Sequence, residues 1–161
     1  MRWTGTRLRE LFSVALRQTI IAVAVFGSMA ITDDAVMAQT TNAIVVRSDG
    51  GGFLGQRSDE IKYLRATGQR VELIGTCISA CTMYLSLPNA CVSPTAVFGF
   101  HGPSGDGQSL SPEEFEHWSE VMARNYREPL RSWYLSTARY EISGYYKLTG
   151  AQLINMGYQS C

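Results

Sequence analysis

The chain has 161 residues, enough for one ordinary domain and not for two. At 45% hydrophobic and 17% charged, with its five prolines spread out, it is a folded globular chain, which excludes disorder and collagen-like or low-complexity architecture. Fourteen basic residues balance fourteen acidic ones, so no net field marks it for nucleic acid, a polybasic membrane patch or an acidic tail.

Four arginines, Arg2, Arg7, Arg9 and Arg17, crowd the N-terminus, and residues 19–30 (TIIAVAVFGSMA) follow as an apolar run. That run is too short to span a bilayer, which needs about 20 residues. A basic region, a short apolar region and small residues after it describe a secretory signal. Val36-Met37-Ala38 fits the small-x-small cleavage rule, with Ser28-Met29-Ala30 as second choice; an ordinary N-terminal helix or an uncleaved anchor is the alternative. Residues 1–38 are therefore set apart as signal peptide or anchor, and residues 39–161 are read as a single periplasmic or secreted domain. That domain is near neutral, with ten basic and eleven acidic residues. Its four cysteines, Cys77, Cys81, Cys91 and Cys161, are an even count outside the cytoplasm, which favours disulfides. Zinc is the alternative, but the spacings match no common ligand pattern and neither histidine sits near a cysteine pair. No metal or cofactor is expected.

Ala43-Ile44-Val45-Val46 reads as a buried strand of a parallel sheet, ending in the turn Ser48-Asp49-Gly50-Gly51-Gly52. A helix over 55–67 turns Ile61, Leu64 and Ala66 inward and stops at Gly68. Val71-Glu72-Leu73-Ile74 is the next strand, 76–79 a short loop, 80–87 a second helix, and 95–100 a strand that stops at His101. This alternation predicts βαβ units with a right-handed crossover. The loops at Gly50–Gly52, at 77–79 and at 101–103 then share one edge of the sheet, where open α/β proteins place their sites. The second half reads as helical. Ser111-Pro112-Glu113-Glu114 is a capping box, and Phe115, Trp118, Val121 and Met122 form the apolar face of its helix. Pro129 breaks that helix near 127–128, a further helix runs over 130–138, and Thr149 caps a short one that Gly157 closes. His117 falls on the polar side and reads as surface.

A serine at a strand–loop–helix turn is a strained, exposed nucleophile, and Ser79 sits there. His101, at the end of a neighbouring strand, is placed to accept its proton. Gly50 and Gly51, with the Ala80 N–H, can present donors to an oxyanion. Each feature alone has a plainer reading: an N-cap serine, a structural histidine, a simple turn. Their position at equivalent strand ends joins them.

Three motifs, Ser48-Asp49-Gly50-Gly51, Gly75-Thr76-Cys77-Ile78-Ser79-Ala80 and His101 flanked by Pro94 and Pro103, resemble the Clp protease proteolytic subunit. Its exported relatives carry a Cys-x-Ser-Ala-Cys element like Cys77–Cys81. The resemblance covers 43–103 well and 149–158 loosely. It implies the ClpP/crotonase superfamily: an α/β fold of stacked ββα units with a mainly parallel sheet, usually oligomeric, with Ser79 as nucleophile, His101 as base and Gly51 with Ala80 as oxyanion hole. The expected function is an exported serine peptidase; the alternative is a catalytically silent module for assembly or partner binding. Two departures matter. The family's third triad member is an Asp, whose place falls on Tyr145; Glu141 is the nearest carboxylate and a weak third member, and Asp106 lies just beyond His101. Asp49 also replaces the family's Pro. Signal-peptide peptidases of the superfamily need a lysine that neither Lys62 nor Lys147 supplies in context, and acyl-CoA hydratases lack the Ser–His pair.

The expected partners are a peptide or protein substrate and, through the aromatic-rich segment 115–134, further copies of the chain; packing of that segment on its own sheet is the equal alternative. Among the three cysteine pairings, Cys77–Cys81 with Cys91–Cys161 is favoured, because a spacing of four across a helical turn brings Cα atoms about 6 Å apart. Cys77–Cys91 is next.

Overall fold

The computed structural model describes residues 42–105 and 108–161. The segment 1–38 read as signal or anchor, with its expected cleavage sites, and Asp106 lie outside the described residues. The domain is a mixed α/β structure around a mostly parallel sheet. Its strands are β1 (Ile44–Asp49), β2 (Val71–Ile78), β3 (Ala90–Val92), β4 (Val97–Phe100) and β5 (Tyr146–Thr149). The α-helices are α1 (Leu54–Thr67), α2 (Pro112–Ala123), α3 (Leu130–Ser136) and α4 (Gly150–Asn155). No helix among the described residues is long and apolar enough to cross a membrane.

β2 is the spine. β1 runs parallel along one side, while β3 and then β4 run parallel along the other, beside Val71–Leu73 and Thr76–Ile78 respectively. β5 closes the far edge antiparallel to β4. Because β1, β2 and β4 all point the same way, their C-terminal ends lie together, as the sequence predicts. The pairing of β1 with β2 slips between Val46 and Ser48, where Gly75 sits. A side chain on Gly75 would run into the Arg47 carbonyl, so only glycine lets the strands stay joined through the irregularity.

Several expectations need correction. The first strand is an edge, not a buried core strand: Ile44 and Val45 are exposed and Val46 alone of the run is buried. In α1, Ile61 and Leu64 face the core but Ala66 is exposed. The loop expected at 76–79 is strand as far as Ile78, since pairing of Ser48 with Thr76 and Asp49 with Cys77 carries β2 onward. The helix that follows, Ser79–Ser86, is a 3-10 helix rather than an α-helix. β4 starts two residues later than expected, and α2 ends at Ala123, well before Pro129, which directly precedes α3. β3 and β5 were unforeseen. Both expected caps form: Ser111 with Glu114, and Thr149 with Gln152, make reciprocal capping boxes.

The core gathers Leu73, Met83, Leu85, Phe98, Phe100, Met122, Leu130, Tyr134 and Leu153, all essentially inaccessible. The aromatic segment turns inward: Phe100 meets Tyr126 and Trp133 edge-on, and Tyr126 meets Tyr134. Two disulfides are present, Cys77–Cys81 with Cα atoms 5.3 Å apart and Cys91–Cys161 with 4.9 Å. They remove all four thiols from metal ligation. The second joins β3 to the C-terminal residue, whose neighbour Ser160 bridges to Val92.

Candidate active site

Ser79 is the one described non-glycine residue at positive φ, 60°. An L-residue there carries strain of about 1–3 kcal/mol, which persists only where the surroundings over-determine it. Three constraints do so. β2 fixes the approach through its pairing to β4 as far as Ile78–Gly99. The Cys77–Cys81 bridge spans the turn, with both half-cystines buried. The Thr82 hydroxyl donates to the Ser79 carbonyl at 2.7 Å. Thr82 has a single proton and spends it there, so at 2.6 Å the buried Tyr126 hydroxyl must donate to Thr82. Burial pushes the Tyr126 phenol well above its ordinary range, which keeps it a neutral donor.

The glycine turn leans directly on this corner. Gly51 has φ 104°, and a Cβ there would stand 2.6 Å from the Ser79 Cβ and 3.0 Å from the Ala80 nitrogen. The Ala80 N–H stands in the first turn of the 3-10 helix, where backbone donors lack helical acceptors. The Gly51 N–H is already spent: it donates to Asp49 Oδ1 at 2.8 Å. The other oxygen, Oδ2, takes Arg57 Nη2 at 2.6 Å, and Arg57 also reaches Glu60 and the Tyr84 hydroxyl and lies over the Tyr84 ring. Burial, together with the hydrogen bond it donates to Glu60, pushes the Tyr84 phenol up. Asp49 stands out in the sequence and Arg57 does not, because Arg57 lies eight residues on, inside a helix, and only the fold brings it back to the turn.

His101 stands half-buried at the end of β4, with its carbonyl 3.3 Å from the Tyr134 hydroxyl. Its Nδ1 lies 2.7 Å from the Gly102 carbonyl. A carbonyl only accepts, so Nδ1 carries a proton, the tautomer in which Nε2 is the nitrogen that can take another. Glu141 is not joined to His101 by a hydrogen bond. Its Oε1 accepts from the Ser143 hydroxyl, the Ser143 N–H and the Gly144 N–H, and these bonds, the Ser143 ones foremost, hold its carboxyl below the ordinary range. Its link to the site runs through the backbone, where its carbonyl accepts the Gly102 N–H at 2.7 Å. Tyr145, where the resemblance would put an Asp, lies against Gly99. His117 is exposed beside Trp118.

Ser79 and His101 line one cleft of about 740 Å³ without a direct hydrogen bond between them. Gly52 and Phe53 form one wall, and Leu110, Trp118 and Met122 another. Among the described residues, no Asp, Glu, Lys or Arg side chain lines it. Gly52 reaches this cleft and Gly50 and Gly51 do not. One apolar wall belongs to α2 and the segment before it, which the sequence suggests for self-assembly or packing on the sheet and not for the site. No protein-family model and no curated protein matches the chain.

Proposed function

We propose that this chain is an exported ClpP-like serine hydrolase acting on peptides, with Ser79 as nucleophile and His101 as general base. The observation that carries the reading is a serine held at φ 60° between strand and helix, in a cleft it shares with a histidine whose Nδ1 is bonded to the Gly102 carbonyl. In the reaction, His101 Nε2 takes the Ser79 hydroxyl proton as Oγ adds to the peptide carbonyl carbon. The Ala80 N–H faces the developing oxyanion, the proton passes to the leaving amine, and water then releases the acyl group by the reverse sequence. The Gly102 carbonyl does the orienting that a triad carboxylate does elsewhere. Being neutral, it fixes the tautomer but stabilises the imidazolium less. The disulfides suit an oxidising compartment, periplasmic or extracellular. Self-assembly belongs to this proposal too, through surface other than Tyr126 and Tyr134, which the core consumes.

One observation favours the silent alternative. The Asp49 carboxylate occupies the Gly51 N–H, placing negative charge beside the corner where an oxyanion would form. A fluorophosphonate probe separates the two readings. The folded protein is expected to be labelled at Ser79, Ser79→Ala and His101→Ala not to be, and Asp49→Asn to react faster. Absence of label from the folded wild-type protein would leave the silent module.

A further inference from the structure

The hollow at Ser79 adjoins a second one. Gly55 at the start of α1 and Trp118 of α2 line it, and the same two residues line a second groove of about 500 Å³ along the seam of the two helices. A Cβ on Gly55 would sit 3.8 Å from the Trp118 ring, so a longer side chain at this position would crowd the boundary the two hollows share. The second groove differs in character. Lys62, Arg65 and Arg124 line it against a single carboxylate, Asp59. Lys62 is paired with Asp59 at 2.8 Å. Arg65 bonds only the hydroxyl and carbonyl of Ser86, and Arg124 the Glu120 carbonyl, so among the described residues neither guanidinium has a carboxylate partner. From Gln56, in the first hollow, to Arg65, in the second, α1 rises about 14 Å, a span that roughly four residues of extended peptide cover.

We infer that the α1–α2 seam is a binding groove for an extended peptide that places an apolar residue in the cleft at Ser79 and an acidic side chain about four residues away against Lys62, Arg65 and Arg124. The inference rests on the reading of Ser79 as peptide-directed, and it names the substrate class: peptides with an acidic residue at a fixed distance from an apolar one. The described lining of the cleft offers an ion at the reacting position no Asp, Glu, Lys or Arg partner, which favours an apolar residue there. The cationic end attracts it further along, with an attraction that salt weakens.

Binding to Ser79→Ala protein tests this without requiring turnover. The probes are capped, fluorescein-labelled octapeptides of alanine carrying one Phe and, four residues after it or four before it, Glu, Gln or Lys. In one of the two orders the Glu peptide is expected to bind about fivefold tighter than its Gln twin at low salt, the gap closing as salt rises. In Arg65→Glu/Arg124→Glu the preference is expected to pass to the Lys peptide, a reversal that loss of folding cannot produce. Equal affinity of Glu and Gln peptides in both orders, or no binding of any, overturns the groove. Fluorophosphonate labelling of the wild-type protein is read separately. Labelled Ser79 with no Glu preference removes the groove alone; a Glu preference without labelling keeps the groove and removes the hydrolase.

Discussion

Gly51 has two independent reasons to be glycine, and both act on Ser79. Its φ of 104° suits no L-residue, and its missing Cβ is the space that the Ser79 Cβ and the Ile78 carbonyl close upon. Both contacts are with backbone or with an atom fixed to it, so neither can swing aside. Gly51→Ala is therefore expected to cost about 1–3 kcal/mol of stability and to abolish labelling of Ser79 in whatever fraction remains folded. Urea unfolding and probe labelling measure the two effects; an alanine variant of unchanged midpoint would show that the turn does not abut Ser79. Gly52, at φ 122°, shares the first reason but not the second, since a Cβ there meets nothing. Ser79 and the glycine turn were legible in the sequence because a serine between strand and helix and a run of glycines are local signals. That the Gly51 N–H is spent on Asp49 was not legible, because it depends on Arg57 arriving from α1 with its charge largely withdrawn from water.

At the scale of elements, the 3-10 helix Ser79–Ser86 hangs on hydroxyls as well as on packing. Thr82 and Tyr126 are both buried, and their bond continues to the Ser79 carbonyl. The two ends of that chain are unequal. Thr82→Val leaves the Tyr126 hydroxyl and the Ser79 carbonyl without their partner, at a cost of about 1–3 kcal/mol. Tyr126→Phe removes a hydroxyl together with its need, and Thr82 keeps its bond to Ser79, so the loss is about 1 kcal/mol or less. Adding Tyr126→Phe to Thr82→Val is then expected to restore part of the loss, which a double-mutant cycle in urea reads directly. Equal costs for the two single variants would mean that the chain does not run in this direction. The elements that the sequence misplaced share one cause. β5 has Lys147 in its middle and is mostly exposed, and β3 is three residues long; both are strands because β4 and β2 offer them an edge, and that edge comes from far along the chain. β1 shows the converse, since its apolar run says strand but not which side of the sheet it borders. α2 and α4 were readable to their first residue because their caps are written locally.

For the whole molecule, the two disulfides divide the work, and loop length decides how. Chain entropy assigns roughly 4 kcal/mol to the Cys91–Cys161 bridge, which closes a separation of 70, and roughly 2 kcal/mol to Cys77–Cys81, which closes one of 4. The long bridge also secures the tail: Val92 donates to the Gln159 carbonyl at 2.8 Å, Cys161 donates to the Val92 carbonyl at 3.1 Å, and the Tyr158 hydroxyl accepts the Arg127 N–H at 2.9 Å. Without the bridge these bonds tie down a free end that can fray. The short bridge constrains the unfolded chain less but brackets Ser79, held at positive φ. Cys91→Ala/Cys161→Ala is therefore expected to lose about twice the stability of Cys77→Ala/Cys81→Ala, yet to react with a fluorophosphonate at the wild-type rate while folded. Cys77→Ala/Cys81→Ala is expected to behave oppositely, folding with the smaller loss and reacting slowly because Ser79 can relax out of φ 60°. Urea midpoints and labelling rates, taken at a temperature where all three proteins are folded, decide it. If the long-bridge variant lost labelling and the short-bridge variant kept it, the strain at Ser79 would be held by β2 and Thr82 alone.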